Sequence, residues 1–252
     1  MKTNFKKQIL SIFLFALIFG VAACSKNDRD FSNDVYASIL DVAPDGVTLI
    51  VKSNLESALS ENLSFSETEL DILLHMKEEE KLARDVYNAL YEKWGIRIFS
   101  NISKAEDNHM NVVIFLLQNY DEEYTEEKVP GKFSNPAFQE LYGKLTSKGF
   151  ESLEEAYKTG ALIEDMDIKD LKESIEKVTN ENIIMVFENL LKGSSNHLRA
   201  FNRQIVKIGL TYSPVYITQE EFDQIIKSPN ETGNGSQQNG NGRKGKRNRN
   251  GW

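Results

Sequence analysis

The chain has 252 residues, of which 30 are Lys or Arg and 38 are Asp or Glu, and its formal net charge is −8. An acidic chain of this kind is unsuited by its net field to binding nucleic acid and attracts cations instead. The single cysteine excludes an intrachain disulfide framework, and the length suits one ordinary domain with flanking segments.

Residues 1–23 are predicted to form a signal peptide that takes no part in the fold. Three lysines precede an apolar run of 13 residues that ends at Val21 and is too short for a comfortable membrane span. The run leads into Val-Ala-Ala-Cys, which resembles a bacterial lipobox. We therefore expect a lipid on Cys24 that anchors the protein in the bacterial cell envelope. The alternative is an ordinary signal peptide in which this cysteine has no role.

The segments on either side of the central domain differ in character. Residues 24–65 are predicted to be a tether, within which 47–51 form either a short strand or a segment lying on the domain. Residues 228–252 are rich in Gly, Asn, Gln and basic side chains, a composition typical of disorder. This basic tail either touches anionic lipid, polysaccharide or the acidic domain, or has no partner.

Residues 66–227 have the helical periodicity, capping boxes and glycine stops of an all-α domain. We predict a four-helix bundle with a short extra helix in the connection between its second and third helices. Gly193 lies inside the fourth helix, where glycine is unfavourable. It indicates a bulge or a close approach of another helix, or it is a glycine that the helix simply tolerates. The predicted bundle helices are 66–94, 101–120, 152–178 and 180–208, and the short helices are 136–148 and about 219–226.

A carboxylate and an imidazole interrupt the apolar row of the second bundle helix. The row runs Ile102, Glu106, His109, Val113 and Leu116. Burying an ionised carboxylate costs several kcal/mol unless something pairs with it. The Glu-x-x-His step places both groups on one face of the helix, where they can hold a metal.

The other three bundle helices repeat this anomaly. Their apolar rows are interrupted by Glu80, by Glu164 with Asp167 one turn on, and by His197. All of these groups offer hard oxygen or imidazole nitrogen, and none is a thiolate. Such a ligand set suits iron or manganese better than structural zinc.

Several neighbouring residues compete for these roles. Glu79 lies on a second apolar row of the first helix and is the main alternative to Glu80, although a surface position is expected for it. Tyr87 shares the face of Glu80, where it is plain core, forms a hydrogen bond to a ligand or carries an electron. Three further groups are expected to lie outside the site, the two acids in solvent: His75, Asp165 and Asp170.

The motif Glu80-x-x-Ala-Arg-x-x-Tyr, followed by Glu106-x-x-His109, resembles the first half of a ferritin-like or rubrerythrin-like di-iron bundle. The sequences of residues 79–87 and 194–201 resemble more specifically the ferritin-like family known as domain of unknown function 2202. The resemblance covers roughly residues 66–226. It implies a ferritin-like four-helix bundle that binds two iron ions, with manganese as the alternative metal.

One position departs from the pattern of that superfamily. The fourth helix has Ser194 where a bridging glutamate is usual. Asp167 is the candidate to supply the missing oxygen; otherwise a single-metal site is expected. The full set of metal ligands is then Glu80, Glu106, His109, Glu164, Asp167 and His197.

These features together predict a lipid-anchored ferritin-like protein that handles Fe(II), dioxygen or peroxide. The sequence does not separate a ferroxidase or peroxidase from a simple metal-binding protein. A rubrerythrin-type relay needs four cysteines, and this chain has one, so any electron donor must be external. The alternative is a non-enzymatic envelope lipoprotein whose bundle binds a partner or sequesters metal.

Overall fold

A computed structural model describes residues 40–42, 48–50, 55–56, 59, 65–119 and 127–230. Cys24 and the tail beyond residue 230 lie outside this part of the chain. Within it there are six long or medium helices: α1 (Glu67–Trp94), α2 (Arg97–Asn119), α3 (Pro136–Gly149), α4 (Leu153–Lys177), α5 (Glu181–Lys207) and α6 (Gln219–Lys227).

Four of these helices form the bundle, which confirms the predicted all-α class. α1 packs along α2, and α4 packs along α5, with further contacts between the two pairs. Short connections join the members of each pair, so they run antiparallel. The extra helix α3 lies in the connection between the second and third bundle helices, as predicted, and packs on α1 and α4.

Local signals account for the helix ends. Ser66 and Glu69 form a capping box that opens α1, and Gly95 closes it in the left-handed conformation with φ 66°. α2 begins at Arg97 rather than near residue 101 because Phe99 is fully buried and extends the apolar row. Ser152 caps α4 by accepting a hydrogen bond from the Glu155 amide.

Glu69 also ties the two helix pairs together. Its carboxylate accepts hydrogen bonds from the backbone amides of Thr179 and Asn180 at 2.8 and 2.9 Å, in the connection between α4 and α5. Burial would raise its pKa, but these bonds and those of Ser66 lower the pKa to about 2.

The apolar core is split into two clusters. One surrounds Tyr87, Phe99 and Phe201, and the other surrounds Leu73 and Phe187. Along each bundle helix the predicted metal ligands fall between members of the two clusters. The polar centre is therefore sandwiched between two apolar layers.

Residues Leu40–Val42 (β1) and Thr48–Ile50 (β2) form a two-stranded antiparallel sheet in which Leu40 pairs with Ile50. The ambiguous segment near residues 48–50 is thus a strand, and it also lies beside α2. Among the described helices, none combines the length and apolarity that a membrane span requires.

Candidate metal centre

The five principal predicted ligands converge from four helices. α1 supplies one carboxylate, α2 a carboxylate and an imidazole, α4 a carboxylate and α5 an imidazole. Each of the five side chains is at most 2% exposed: Glu80, Glu106, His109, Glu164 and His197. The helical spacing explains the convergence, because each group replaces an apolar residue on the inward face of its helix.

Glu106 lies at the centre of this group. Its Oε2 atom is 2.8 Å from Nδ1 of His109. Its Oε1 atom is 2.9 Å from Nδ1 of His197. One carboxylate therefore presents each of its two oxygens to a different histidine.

Each histidine also faces a second carboxylate. His109 Nδ1 is 3.4 Å from Glu80 Oε2, and His197 Nδ1 is 3.3 Å from Glu164 Oε2. The imidazole rings lie nearly parallel, with centroids 5.4 Å apart. The result is two adjacent groups of one histidine and two carboxylates, which share Glu106.

The donor set fits a pair of metal ions. Two ligand atoms that each lie about 2.1 Å from one cation, at right angles to each other, are about 3 Å apart. The nitrogen–oxygen separations in this centre are close to that value, at 2.8–3.4 Å. Among the described residues, several buried atoms of these side chains make no hydrogen bond, including Glu80 Oε1 and His109 Nε2. Buried polar atoms without hydrogen bonds are rare and call for a ligand, a proton or a water.

Asp167 lies at the edge of this centre rather than in solvent. It is 5% exposed, and its Oδ2 atom is hydrogen-bonded to the Ser194 hydroxyl. Its Oδ1 atom is buried and makes no hydrogen bond within the described chain. Burial, followed by repulsion from Glu80 and Glu164, raises the pKa of Asp167 well above its usual range. The Asp167–Ser194 pair is thus a buried polar contact between α4 and α5 beside the converging ligands.

Tyr87 donates its hydroxyl hydrogen bond to Glu164 Oε1 and also lies 3.3 Å from the carbonyl oxygen of Gly160. Phe201 packs against the Tyr87 ring, with centroids 5.3 Å apart. A Cβ on Gly160 would lie 2.4 Å from that phenyl ring, so glycine is required for this approach. Tyr87 therefore belongs to the buried core and also hydrogen-bonds a candidate ligand, which are two of the roles expected for it.

Without bound metal, protons would balance the charges of this centre. Burial would raise the pKa of Glu106, but His197 and His109 hold it well below its usual range. Burial would lower the pKa of His109, but Glu80 and Glu106 raise it to about 10. Burial also raises the pKa values of Glu80 and Glu164 to about 7. Cations entering the centre must therefore displace protons.

The expectations for three acidic residues are wrong. Asp165 is fully buried and accepts hydrogen bonds from the Tyr212 hydroxyl and the Ile217 amide, each at 2.8 Å. Glu79 is 2% exposed rather than at the surface, and Asp170 is largely covered, with 13% of its side chain exposed. The second apolar row of α1 already contained the signal for burial of Glu79, whereas Asp165 is covered by a segment distant in sequence.

Comparison with known proteins agrees with this architecture. The chain is 50% identical over 169 residues to the uncharacterised protein MJ0754 of Methanocaldococcus jannaschii, covering 67% of this chain and 91% of that protein. The crystal structure of the hypothetical protein MJ0754 superposes with a TM-score of 0.67 at 48% identity, over 69% of this chain and all of that one. Residues 69–229 match the uncharacterised protein domain DUF2202, and the chain belongs to that family.

Proposed function

We propose that the bundle is a ferritin-like dinuclear metal centre that holds two iron ions, with manganese as the alternative metal. The observation that carries this proposal is the position of Glu106, whose two oxygens lie 2.8 and 2.9 Å from two different imidazoles. A carboxylate placed in this way can bridge two cations about 3.5–4 Å apart.

The remaining groups divide between the two cations. Glu80 and His109 would hold one ion, and Glu164 and His197 the other. Asp167, whose Oδ2 atom accepts a hydrogen bond from Ser194, would complete the set of metal ligands. The ligand set then carries four carboxylates, which balance the charge of two divalent ions, and its hard oxygen and imidazole donors suit iron or manganese.

A pair of bound iron ions would supply redox chemistry with dioxygen or peroxide, through either oxidation of Fe(II) or reduction of peroxide. The protein side chains position this chemistry. Tyr87 fixes Glu164 by a hydrogen bond, and the two apolar clusters exclude bulk water from the ligands. Any reductant must come from another molecule. We further propose that the domain works at the bacterial cell envelope, tethered by a lipid on Cys24.

The test begins with the metal content of the purified chain, measured by mass spectrometry. Fe(II) is then added without oxygen, followed by oxygen, while oxo-bridged iron is monitored by absorbance. We expect two ions per chain and an oxygen-dependent band, both lost in Glu106→Gln. A matched control is Glu176→Gln, on α4 away from the centre.

Equal metal content in the wild type and Glu106→Gln would contradict a bridging role for Glu106. Two bound ions without any oxygen-dependent band would instead favour the alternative, a non-enzymatic protein that sequesters metal.

A further inference from the structure

A second cluster of ligand-type side chains lies outside the dinuclear centre. It consists of His75 and Glu79 on α1 and Asp170 on α4. One ligand atom from each of these residues falls within 4.8 Å of the others. None of the three belongs to the centre built around Glu106, although Glu79 directly precedes Glu80 in the chain.

Glu79 is the feature that calls for a ligand. The residue is 2% exposed, and within the described part of the chain its carboxylate has no hydrogen-bond partner other than the neighbouring Asp170 carboxyl, with which it can share a proton. The nearest imidazole atom, Nε2 of His75, is 3.8 Å from Glu79 Oε2, which is an ion-pair distance and too long for a hydrogen bond. An ionised carboxylate in this environment is strongly unfavourable unless a cation or a proton compensates its charge.

The other two residues give this cluster a solvent side. The side chain of His75 is 43% exposed, whereas that of Asp170 is 13% exposed. His75 and Glu79 stand one turn apart on the same helical face, and the imidazole lies against Phe138 with ring centroids 5.2 Å apart. A dissolved cation can therefore reach the imidazole first, with the buried carboxylate behind it.

The lysines around the cluster are shared among several carboxylates. Lys169 Nζ is 3.4 Å from Asp170 Oδ1, but the same ammonium is closer to Glu173, at 2.6 Å. Asp170 Oδ2 is buried, and a proton shared with Glu79 is the hydrogen bond open to it among the described residues. Lys169 is thus shared between two carboxylates, and Glu173 has a second lysine, Lys177, at 3.8 Å, so neither ammonium is committed to Asp170 alone.

We propose that His75, Glu79 and Asp170 bind a single divalent transition-metal ion at a solvent-facing access site. One imidazole and two carboxylates form a donor set for such an ion. Asp170 lies one turn beyond Asp167 on α4. Helices α1 and α4 therefore carry residues of both the access site and the dinuclear centre. Transfer of the ion from the access site to the centre rests on the proposed function, whereas binding at the access site does not.

The experiment uses Mn(II) as the probe, with free ion counted by electron paramagnetic resonance during titration of the full chain. Glu79→Gln should bind one ion fewer than the wild type, or bind it at least about tenfold more weakly. Glu78→Gln, at the neighbouring position, is the matched control and should keep the wild-type count. Because Gln is isosteric and removes a buried charge, the fold should be retained; circular dichroism verifies this.

A second readout concerns the imidazole. Nitrogen coupling to the Mn(II) bound by a Glu106→Gln protein should disappear when His75→Ala is added. Equal Mn(II) counts in Glu79→Gln, Glu78→Gln and the wild type would overturn the proposal and show that a proton alone compensates Glu79. Loss of an ion in Glu79→Gln without any loss in Glu106→Gln would retain the access site and reject the dinuclear centre.

The role in transfer has its own test. Wild type and Glu79→Gln are mixed rapidly with Fe(II), and occupation of the buried centre is followed over time. Uptake should slow by about tenfold or more in Glu79→Gln, with an unchanged final occupancy of that centre. Equal uptake rates would show that ions reach the centre by another route.

Discussion

Gly193 on α5 makes room for the imidazole of His109 on α2. A Cβ at position 193 would lie 2.6 Å from both Cε1 and Nε2 of that ring. Real side chains do not tolerate this separation, so the imidazole would have to move. The presence of a glycine inside the continuous helix α5 is therefore explained by a close helix approach at the candidate metal centre.

Gly193→Ala should lower metal affinity by at least about tenfold because it displaces His109 from Glu106. Alanine is the better helix former by about 1 kcal/mol, so intrinsic propensity alone would predict a gain in stability. Calorimetric titration with Mn(II) measures the loss of affinity.

Gly143→Ala is the matched control, because Gly143 is also helical and nothing lies within 4 Å of its added Cβ. This control should be neutral or more stable, with unchanged metal affinity. Equal affinities in the two alanine variants would show that His109 is not a ligand.

Asp167→Asn should lower the number of bound ions from two towards one. A neutral amide oxygen is a poorer ligand for a hard cation than a carboxylate oxygen, and Asp167 has one oxygen that makes no hydrogen bond in the described chain. Metal content after dialysis provides the measurement, with the exposed Asp71→Asn on α1 as control. Wild-type stoichiometry in Asp167→Asn would assign this residue a structural role with Ser194 alone.

Helical periodicity was sufficient to predict the bundle and the burial of Glu80, Glu106 and His109. Each of these residues interrupts an apolar row, and a row fixes which face of a helix points inward. The environment of Asp165 could not be read in this way, because its partners lie in the segment 212–217, whose position depends on tertiary contacts. For Glu79 the signal was present, because a second apolar row of α1 contains this residue.

Tyr87→Phe should weaken metal binding while preserving the fold. The variant removes the hydroxyl that donates to Glu164 and that lowers the pKa of this carboxyl against the effect of burial. Loss of one such hydrogen bond should cost about 1 kcal/mol of stability. Affinity for Mn(II) should fall more at pH 6 than at pH 8, since a larger fraction of Glu164 is then protonated. Equal losses at both pH values would show that Tyr87 acts on packing alone.

Asp165→Asn should destabilise the fold by about 2–3 kcal/mol, because several hydrogen bonds to one charged acceptor are lost or weakened. These bonds hold the segment 212–217 on α4, so cleavage by a protease in that segment should accelerate. The exposed Asp223→Asn on α6 serves as control, and metal stoichiometry should remain that of the wild type. Unchanged melting temperature in Asp165→Asn would indicate that backbone contacts suffice to hold the segment.

The metal-free protein should lose stability as the pH rises from about 5 to 9. Folding raises the pKa values of Glu80 and Glu164 from 4.5 to about 7. It raises that of His109 from 6.5 to about 10. A raised pKa means that the folded state favours the protonated form of the group. The group's contribution to the free energy of unfolding is therefore complete below its pKa in the unfolded state, and it is lost as the pH rises through its pKa in the folded state. The two carboxyls lose theirs between about pH 4.5 and 7, and the imidazole between about 6.5 and 10.

Bound cations should reverse this trend, because they replace the protons and favour the deprotonated ligands. The melting temperature with a chelator should therefore decline over this range, by about 2–4 °C for each kcal/mol lost. With Mn(II), the increase in melting temperature should grow from pH 5 to pH 8. Glu80→Gln should flatten the decline of the metal-free protein, because it removes one of the titrating groups. A metal-free melting temperature that rises between pH 5 and pH 9 would contradict the protonation pattern assigned to the centre.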